Sequence, residues 1–162
     1  MNYVDDKLRA VLQRSARLFG REISDSRLDT LVQFIKFGVV GASNTVISYV
    51  LNILVLLLLK PFHLSWDFIA GNAVAFVLSV LWSFYWNNKY VFAAGEGRRR
   101  SVWRTLLKTY AAYAFTGIVL SNVLSYVWIN VLGISKFVAP LINLMISVPL
   151  NFIINKLWAF KA

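Results

Sequence analysis

Long hydrophobic runs separated by short polar segments dominate the pattern along this chain. Four runs contain no charged residue: residues 37–59, 68–86, 109–132 and 137–155, which are 23, 19, 24 and 19 residues long. A helix rises about 1.5 Å per residue and the hydrocarbon core is about 30 Å thick, so each run can cross a membrane as a helix. Backbone groups in lipid must be satisfied within their own segment. The pattern therefore predicts an all-α integral membrane protein with four transmembrane helices.

The residues before the first run form a different pattern. Apolar side chains recur at three- and four-residue steps, while arginines occupy the other positions, which is typical of a basic amphipathic helix. The apolar positions are Val4, Leu8, Val11, Leu12, Leu18 and Phe19, and the arginines are Arg9, Arg14, Arg17 and Arg21. We interpret residues 1–33 as a cytoplasmic amphipathic leader and residues 34–160 as the membrane domain. The leader lies on the membrane surface or docks on a partner protein. The first run, which begins at residue 37 behind this charged leader, has no cleavage-site pattern before the other three runs, so it is not a removable signal peptide.

Composition and charge give the chain an orientation. It is 59% hydrophobic and 15% charged, with a formal net charge of +10. Fifteen of its 17 basic residues fall before the first run, between the second and third, or after the fourth, and only Lys60 and Lys136 lie in the other two loops. The positive-inside rule therefore places both termini in the cytoplasm and the loops at residues 60–67 and 133–136 outside. The tract at residues 95–100 (GEGRRR) is interpreted as a topology determinant that also contacts anionic lipid.

Residue types that are absent exclude several functions. The chain has no cysteine and a single histidine, His63, which excludes a disulfide framework, a Cys/His zinc site and a thiol nucleophile. All seven acidic residues lie outside the four runs, so the chain lacks the membrane-embedded carboxylate that small multidrug exporters, proton coupling and aspartyl intramembrane proteolysis need. Nucleic-acid binding is disfavoured because the basic residues border hydrophobic spans.

The second and fourth runs repeat each other at a shift of 68 residues. Identical residues then coincide without a gap: Ser79 with Ser147, Val80 with Val148, Phe84 with Phe152, Asn87 with Asn155 and Phe92 with Phe160. Ser83 falls on Asn151. Each half holds two spans, so the halves enter the membrane in the same orientation. The sequence predicts two parallel two-helix repeats.

Polar residues inside the spans form a stripe on each helix. In the fourth run, Asn143, Ser147, Asn151 and Asn155 stand at four-residue spacing. The other stripes contain Gly41, Asn44 or Thr45, Ser48 and Asn52; Asn72, Ser79, Ser83 and Asn87; and Tyr113, Gly117, Ser121 and Ser125. These faces either converge on a functional interior or hold the helices together by close packing and hydrogen bonds. Gly38 and Ala42 form a small-xxx-small pair that favours a tight helix contact.

Basic residues also collect at the predicted cytoplasmic ends of the spans, beside the amides of Asn87 and Asn155. They are Lys36, Lys89, Arg104, Lys108 and Lys156. Fixed positive charge together with amide donors suits an anion such as a lipid phosphate. The alternative is that these side chains anchor the helix ends by snorkelling.

Four motifs carry a resemblance to the GtrA-like family. They are residues 37–45 (FGVVGASNT), 72–76 (NAVAF), 83–92 (SFYWNNKYVF) and 151–160 (NFIINKLWAF), the last of which matches the family pattern more faithfully than the third. The resemblance covers about residues 34–160. Two departures, Ser83 in place of asparagine and Asn88 in place of a basic residue, put the equivalence of the two repeats in doubt.

The resemblance implies a non-enzymatic protein of the bacterial cytoplasmic membrane that moves a polyprenyl-phosphate-linked monosaccharide for cell-surface polysaccharide glycosylation, beside a partner glycosyltransferase. No cofactor or metal is implied. On this hypothesis five basic residues hold the phosphate: Lys36, Lys89, Arg104, Lys108 and Lys156. The sugar passes along the amides of Asn44, Asn72, Asn87, Asn151 and Asn155. Because four helices make a narrow bundle, we expect a homodimer. The alternative is a membrane scaffold that recruits the glycosyltransferase and transports nothing; a small-molecule exporter is disfavoured.

Overall fold

The chain folds into helices joined by short turns. A computed structural model describes residues 3–20, 22–64, 67–93, 100–135 and 138–161. The leader forms α1 (Tyr3–Leu18), and the first two spans contain α2 (Asp25–Leu59) and α3 (Asp67–Trp86). The other two contain α4 (Val102–Ala114), α5 (Ser121–Tyr126) and α6 (Ala139–Ile154). Arg21, Arg98, Arg99, Lys136 and most of the tract at residues 95–100 lie outside the described residues.

Four helices are long and apolar enough to cross a membrane, which confirms the predicted fold class. These spans are Asp25–Phe62, Asp67–Val91, Val102–Val131 and Leu141–Ala159. Helix α2 begins at Asp25, well before the uncharged run that starts at residue 37. It therefore continues through residue 33, which the sequence pattern predicted as the end of the leader. Its early part, from Asp25, is polar and lies beyond the hydrophobic run, because a helix does not need to end where lipid ends.

Several spans contain π-helical turns that the sequence pattern did not predict. The second and fourth spans end in such turns, Asn87–Val91 and Asn155–Ala159, at positions related by the 68-residue shift. In both, the amide at the end of the turn donates to the carbonyl of its first residue: Phe92 to Asn87 at 2.7 Å and Phe160 to Asn155 at 2.8 Å. The repeat seen in the sequence is therefore a repeat in backbone geometry.

A hydrophobic core of buried residues lies at one end of the bundle. Its phenylalanine cluster consists of Phe37, Phe84, Phe92, Phe152 and Phe160, all of them at most 8% exposed. Ring centroids are 4.8 Å apart between Phe92 and Phe160 and 5.5 Å apart between Phe37 and Phe152. We call this the basic end, because the lysines that begin or finish the spans surround it. The cluster joins the first, second and fourth spans.

Two ion pairs attach the leader to the first span. Lys36 donates to both carboxylate oxygens of Asp5, at 2.9 and 3.2 Å, and Arg9 pairs with Asp29. The turn between α1 and α2 passes through Gly20, whose φ of +67° favours a residue without a side chain. The opposite side of α1 and the turn that follows it expose apolar residues, of which Leu18 and Phe19 are 80% and 84% exposed.

The Asp5–Lys36 pair gives a testable prediction about leader docking. Lys36→Asp should place two carboxylates together and speed hydrogen exchange of the α1 amides a few-fold, since a partly exposed ion pair contributes about 0–1 kcal/mol. The double swap Asp5→Lys with Lys36→Asp should restore the wild-type exchange rate. Arg14→Asp makes the same charge change on an exposed side of α1 and serves as the control. Equal acceleration in the control would contradict a role for the pair.

Candidate functional site

A cleft of about 640 Å³ opens between the first, third and fourth spans. Its walls include Gly41 and Asn44 of the first span, Tyr113 and Gly117 of the third, and Ser147 and Asn151 of the fourth. We call it the membrane cleft. Its size lies within the range of roughly 300–1,000 Å³ found for small-molecule sites.

The mouth of the membrane cleft faces lipid. Ala42, Thr45, Gly117 and Leu144 line it and are exposed, and all four belong to the membrane spans. At the basic end the cleft stops at Phe37, a member of the phenylalanine cluster. A molecule can therefore place a polar group in the cleft while a hydrocarbon tail stays outside in the bilayer.

Small residues keep the membrane cleft open. A Cβ atom added at Gly38, Gly41 or Gly117 would meet nothing within 4 Å. The expectation that Gly38 and Ala42 mark a tight helix contact is therefore wrong within one chain, since no neighbouring helix among the described residues fills the space in front of Gly38. These glycines create room in the bilayer that larger side chains would occupy.

Two polar atoms in the walls of the cleft have no hydrogen-bond partner among the described residues. They are Oδ1 of Asn44 and Oγ of Ser147, both shielded from the surface. Leaving buried polar groups unpaired costs about 1–3 kcal/mol each, so a ligand hydroxyl that reaches these oxygens after a small side-chain movement would recover part of that cost. The helices beside them have unusual features, since α6 contains Pro149 in its interior and the third span is π-helical over Phe115–Leu120. Irregular backbone in spanning helices is tolerated where it borders a cavity.

A second cavity of about 470 Å³ lies between the first and second spans. It shares Asn44 and Thr45 with the membrane cleft. The predicted site residue Asn72 lines this cavity and accepts a hydrogen bond from Asn52 at 2.9 Å. The helices approach closely here, because a Cβ atom at Gly71 would lie 3.1 Å from Nδ2 of Asn52. Asn72 therefore connects the first and second spans through its hydrogen bond to Asn52. It also lines a cavity that borders the membrane cleft at Asn44.

The equivalent asparagines Asn87 and Asn155 are fully buried. Nδ2 of Asn87 donates to Oγ of Ser83 at 3.1 Å, and Nδ2 of Asn155 donates to Oδ1 of Asn151 at 2.9 Å. The Oδ1 atoms of both asparagines have no partner among the described residues. Each predicted site amide thus supports the residue one turn earlier, and neither is open to solvent.

The two repeats differ at the residue four positions before the buried asparagine, which is Ser83 in the first repeat and Asn151 in the second. Ser83 lies 2.5 Å from the hydroxyl of Tyr113, so the third span fills the space in the first repeat. In the second repeat Asn151 stands at the corresponding position and lines the membrane cleft. The structure therefore makes the repeats unequal, and only the second presents its amide to the cleft.

The predicted basic residues surround the basic end without converging on a single point. Lys36 is paired with Asp5, and Lys156 donates to Oγ1 of Thr30 at 2.8 Å. Lys108 donates to the carbonyl of Trp158 at 3.2 Å and lies over its ring. The remaining two, Lys89 and Arg104, are exposed. Lys89 lies over the rings of Tyr85 and Tyr90, at 5.5 and 5.1 Å from the centroids.

Arg100 is a central residue that sequence reasoning did not single out. Its guanidinium donates to the carbonyls of Phe92 and Phe160, the latter at 2.6 Å, and to Oδ1 of Asn88 at 3.1 Å. Burial lowers the pKa of this guanidinium from its ordinary value. In the sequence Arg100 was only one of three arginines in a charge run, and no pattern distinguished it from Arg98 and Arg99.

Tyr113 and Ser147 also line the cleft. The sequence placed both in polar stripes but did not predict that either would contact a ligand.

Comparisons with known proteins agree with the sequence motifs. Residues 36–160 match the family model described as GtrA/DPMS, transmembrane domain. The chain is similar to the cell wall teichoic acid glycosylation protein GtcA of Listeria monocytogenes, with 26% identity over 137 residues, which cover 82% of this chain and 88% of that protein. It is also similar to the protein of the same name from Listeria innocua, with 28% identity over 98 residues, covering 60% of this chain and 67% of that protein. No solved structure matches this chain.

Proposed function

Because this chain belongs to the GtrA/DPMS transmembrane-domain family, we propose that it moves a polyprenyl-phosphate-linked monosaccharide across the bacterial cytoplasmic membrane. The observation that carries the proposal is the membrane cleft, which opens toward lipid and is lined by Asn44 and Ser147, whose buried side-chain oxygens have no partner among the described residues. A sugar has many hydroxyl donors and is expensive to transfer into hydrocarbon. A cleft with free acceptors at its wall lowers that barrier.

The proposed mechanism needs no bond to form or break. The sugar hydroxyls donate to Asn44, Ser147 and Asn151, while the prenyl chain remains in the bilayer beside the mouth of the cleft. The phosphate is held at the basic end, where the exposed side chains of Lys89 and Arg104 are accessible and Lys108 and Lys156 lie nearby. Cationic donors bind phosphate more strongly than neutral ones. Asn87 and Asn155 contribute by fixing the π-helical turns rather than by touching the sugar.

The relatives suggest where the sugar goes. Since two similar proteins are named for cell wall teichoic acid glycosylation, we infer that the transported sugar serves glycosylation of a cell-surface polymer. A membrane glycosyltransferase is then the partner that loads or uses the lipid. The charge distribution favours cytoplasmic termini, with the leader against anionic lipid. Because four helices make a narrow bundle, we also propose a homodimer.

Transport by purified protein tests this proposal. Proteoliposomes containing the wild-type chain should translocate a polyprenyl-phosphate monosaccharide, and Asn44→Ala with Ser147→Ala should lower the rate roughly thirtyfold, because the two lost hydrogen bonds are worth about 1 kcal/mol each. Asn122→Ala is a matched control, since its exposed side chain bonds to Ile118 in its own helix. Equal rates in all three proteins and in protein-free vesicles would refute transport.

One observation favours the alternative function of a scaffold for the glycosyltransferase. The leader exposes Val11, Leu18 and Phe19 on a side that nothing in the described chain covers. If scaffolding is the whole function, purified protein translocates no lipid, and Leu18→Ser with Phe19→Ser releases the enzyme in co-purification. Loss of enzyme binding together with intact transport would instead separate the two functions.

A further inference from the structure

The membrane cleft is closed at its basic end by the phenylalanine cluster. Phe37 is the last cleft residue on that side, and its ring lies 5.5 Å from Phe152 and 6.1 Å from Phe92. Phe92 and Phe160 stack on each other and are equivalent residues at the ends of the second and fourth spans. A polar headgroup cannot pass this layer unless the two span ends separate. Closure therefore depends on what holds Phe92 and Phe160 together.

Arg100 binds both of these span ends at once. Its guanidinium donates to the carbonyls of Phe92 and Phe160 and lies over the Phe160 ring, 5.3 Å from the centroid. A third donor contact goes to Asn88 of the second span. The planar guanidinium has five N–H donors in a fixed fork, so it can serve several acceptors on two helices. Arg100 lies in the connection between the repeats, where a single side chain can reach both.

Ordinary helix capping does not explain this arrangement. Cations near helix C-termini commonly bind the last carbonyls, as Lys108 does with the carbonyl of Trp158. That contact involves one helix end. Arg100 joins two equivalent ends that belong to different repeats, and the interface it joins is the layer that closes the cleft.

We propose that Arg100 is a gate residue. Its guanidinium holds the ends of the second and fourth spans together, and it releases them when it binds a phosphate headgroup instead of the two carbonyls. The release step rests on the proposed function. The present acceptors are two neutral carbonyls and an amide oxygen, whereas a phosphate offers charged oxygens that match the guanidinium fork. A phosphate arriving from the basic end therefore competes for the bonds that keep the cleft closed.

Cysteine accessibility tests the gate directly, because the natural sequence contains no cysteine. Gly41→Cys places one thiol in the cleft, one helical turn beyond Phe37, where an added Cβ meets no other atom. A membrane-impermeant maleimide is applied to oriented membrane vesicles, either from the side of the basic end or from the opposite side. In the wild-type background, labelling from the basic end should be slow.

Arg100→Gln should raise the labelling rate from the basic end about tenfold and leave labelling from the opposite side unchanged. Arg100→Lys should give an intermediate rate, since an ammonium lacks the planar fork. Lys161→Gln removes an exposed positive charge beside Phe160 and should leave the rate unchanged. Equal acceleration from both sides in Arg100→Gln would mean general loosening of the bundle and would overturn the gate, as would no acceleration in either Arg100 variant.

Adding polyprenyl phosphate to the Gly41→Cys protein that keeps Arg100 tests the release step. The lipid should raise labelling from the basic end toward the Arg100→Gln rate and have no further effect in that variant. Inorganic phosphate at the same concentration distinguishes recognition of the phosphate alone from recognition that needs the lipid tail. No acceleration by either probe would overturn the release step. A protein that gates correctly but transports no lipid-linked sugar would refute the proposed function and leave the gate standing.

Discussion

Ser147→Leu should lower translocation of a lipid-linked sugar at least about thirtyfold while the bundle remains folded. The leucine side chain enters the membrane cleft, occupies volume that the sugar needs and removes an unpartnered acceptor. A loss of this size corresponds to about 2 kcal/mol of barrier height, which steric exclusion and one lost hydrogen bond can supply together. The measurement is the initial transport rate in proteoliposomes, with protein folding followed by thermal denaturation in detergent.

Two further variants separate filling of the cleft from other effects. Ser147→Ala removes the hydroxyl but leaves the space open, so its rate should lie between those of the wild type and the leucine variant. Met145→Leu changes an exposed residue of the same helix that faces away from the cleft and should transport normally. Wild-type transport by Ser147→Leu would show that the sugar does not travel through this cleft.

The spans were predictable because lipid imposes a simple rule on sequence. A helix that crosses the bilayer needs about 20 residues without unpaired charge, and that requirement leaves an uninterrupted pattern. The π-helical turns inside the spans were not predictable in this way, because no pattern in the sequence marks them. At the π-helical turn that begins at Asn87, the asparagine side chain is fully buried and donates to Ser83 one turn earlier, and the hydrophobic pattern carries no signal of that burial.

The polar stripe of the fourth span shows where sequence reasoning stopped. Four-residue spacing correctly placed Asn143, Ser147, Asn151 and Asn155 along one side of the helix, but their environments differ. Ser147 and Asn151 line the cleft, while Asn155 is fully buried. The difference arises from the neighbouring spans, since glycines of the first and third spans leave space where other side chains would fill it. Periodicity describes one helix and carries no information about that space.

Charge predicted the basic end but not how its residues are used. Counting lysines and arginines predicted that basic residues collect at one end of the bundle. The structure places Lys36, Lys89, Lys108 and Lys156 around this basic end. The count could not show that Asp5 neutralises Lys36 or that Arg100 reaches two helix ends. These contacts connect residues far apart in the sequence, and each depends on the path of a connecting segment.

Asn143→Leu should lower the free energy of unfolding by about 2 kcal/mol, because Asn143 ties the fourth span to the third. Its Oδ1 accepts from Trp128 at 3.0 Å, and its Nδ2 lies within hydrogen-bond distance of the Ser121 carbonyl, Ser121 Oγ and, at 2.7 Å, Ser125 Oγ. Leucine keeps the volume but leaves those groups unpaired in lipid. Equilibrium unfolding in mixed detergent micelles measures the change.

Asn122→Leu provides the matched comparison for this variant. Asn122 is the same residue type in the third span, but its side chain is exposed and bonds only to Ile118 of its own helix among the described residues. Leucine at that surface should be neutral or slightly stabilising in a bilayer, because it replaces a polar group that faces lipid. A similar loss of stability in both variants would mean that removal of any asparagine weakens the bundle. A loss confined to Asn143→Leu would identify this amide as the polar contact that fixes the far wall of the cleft.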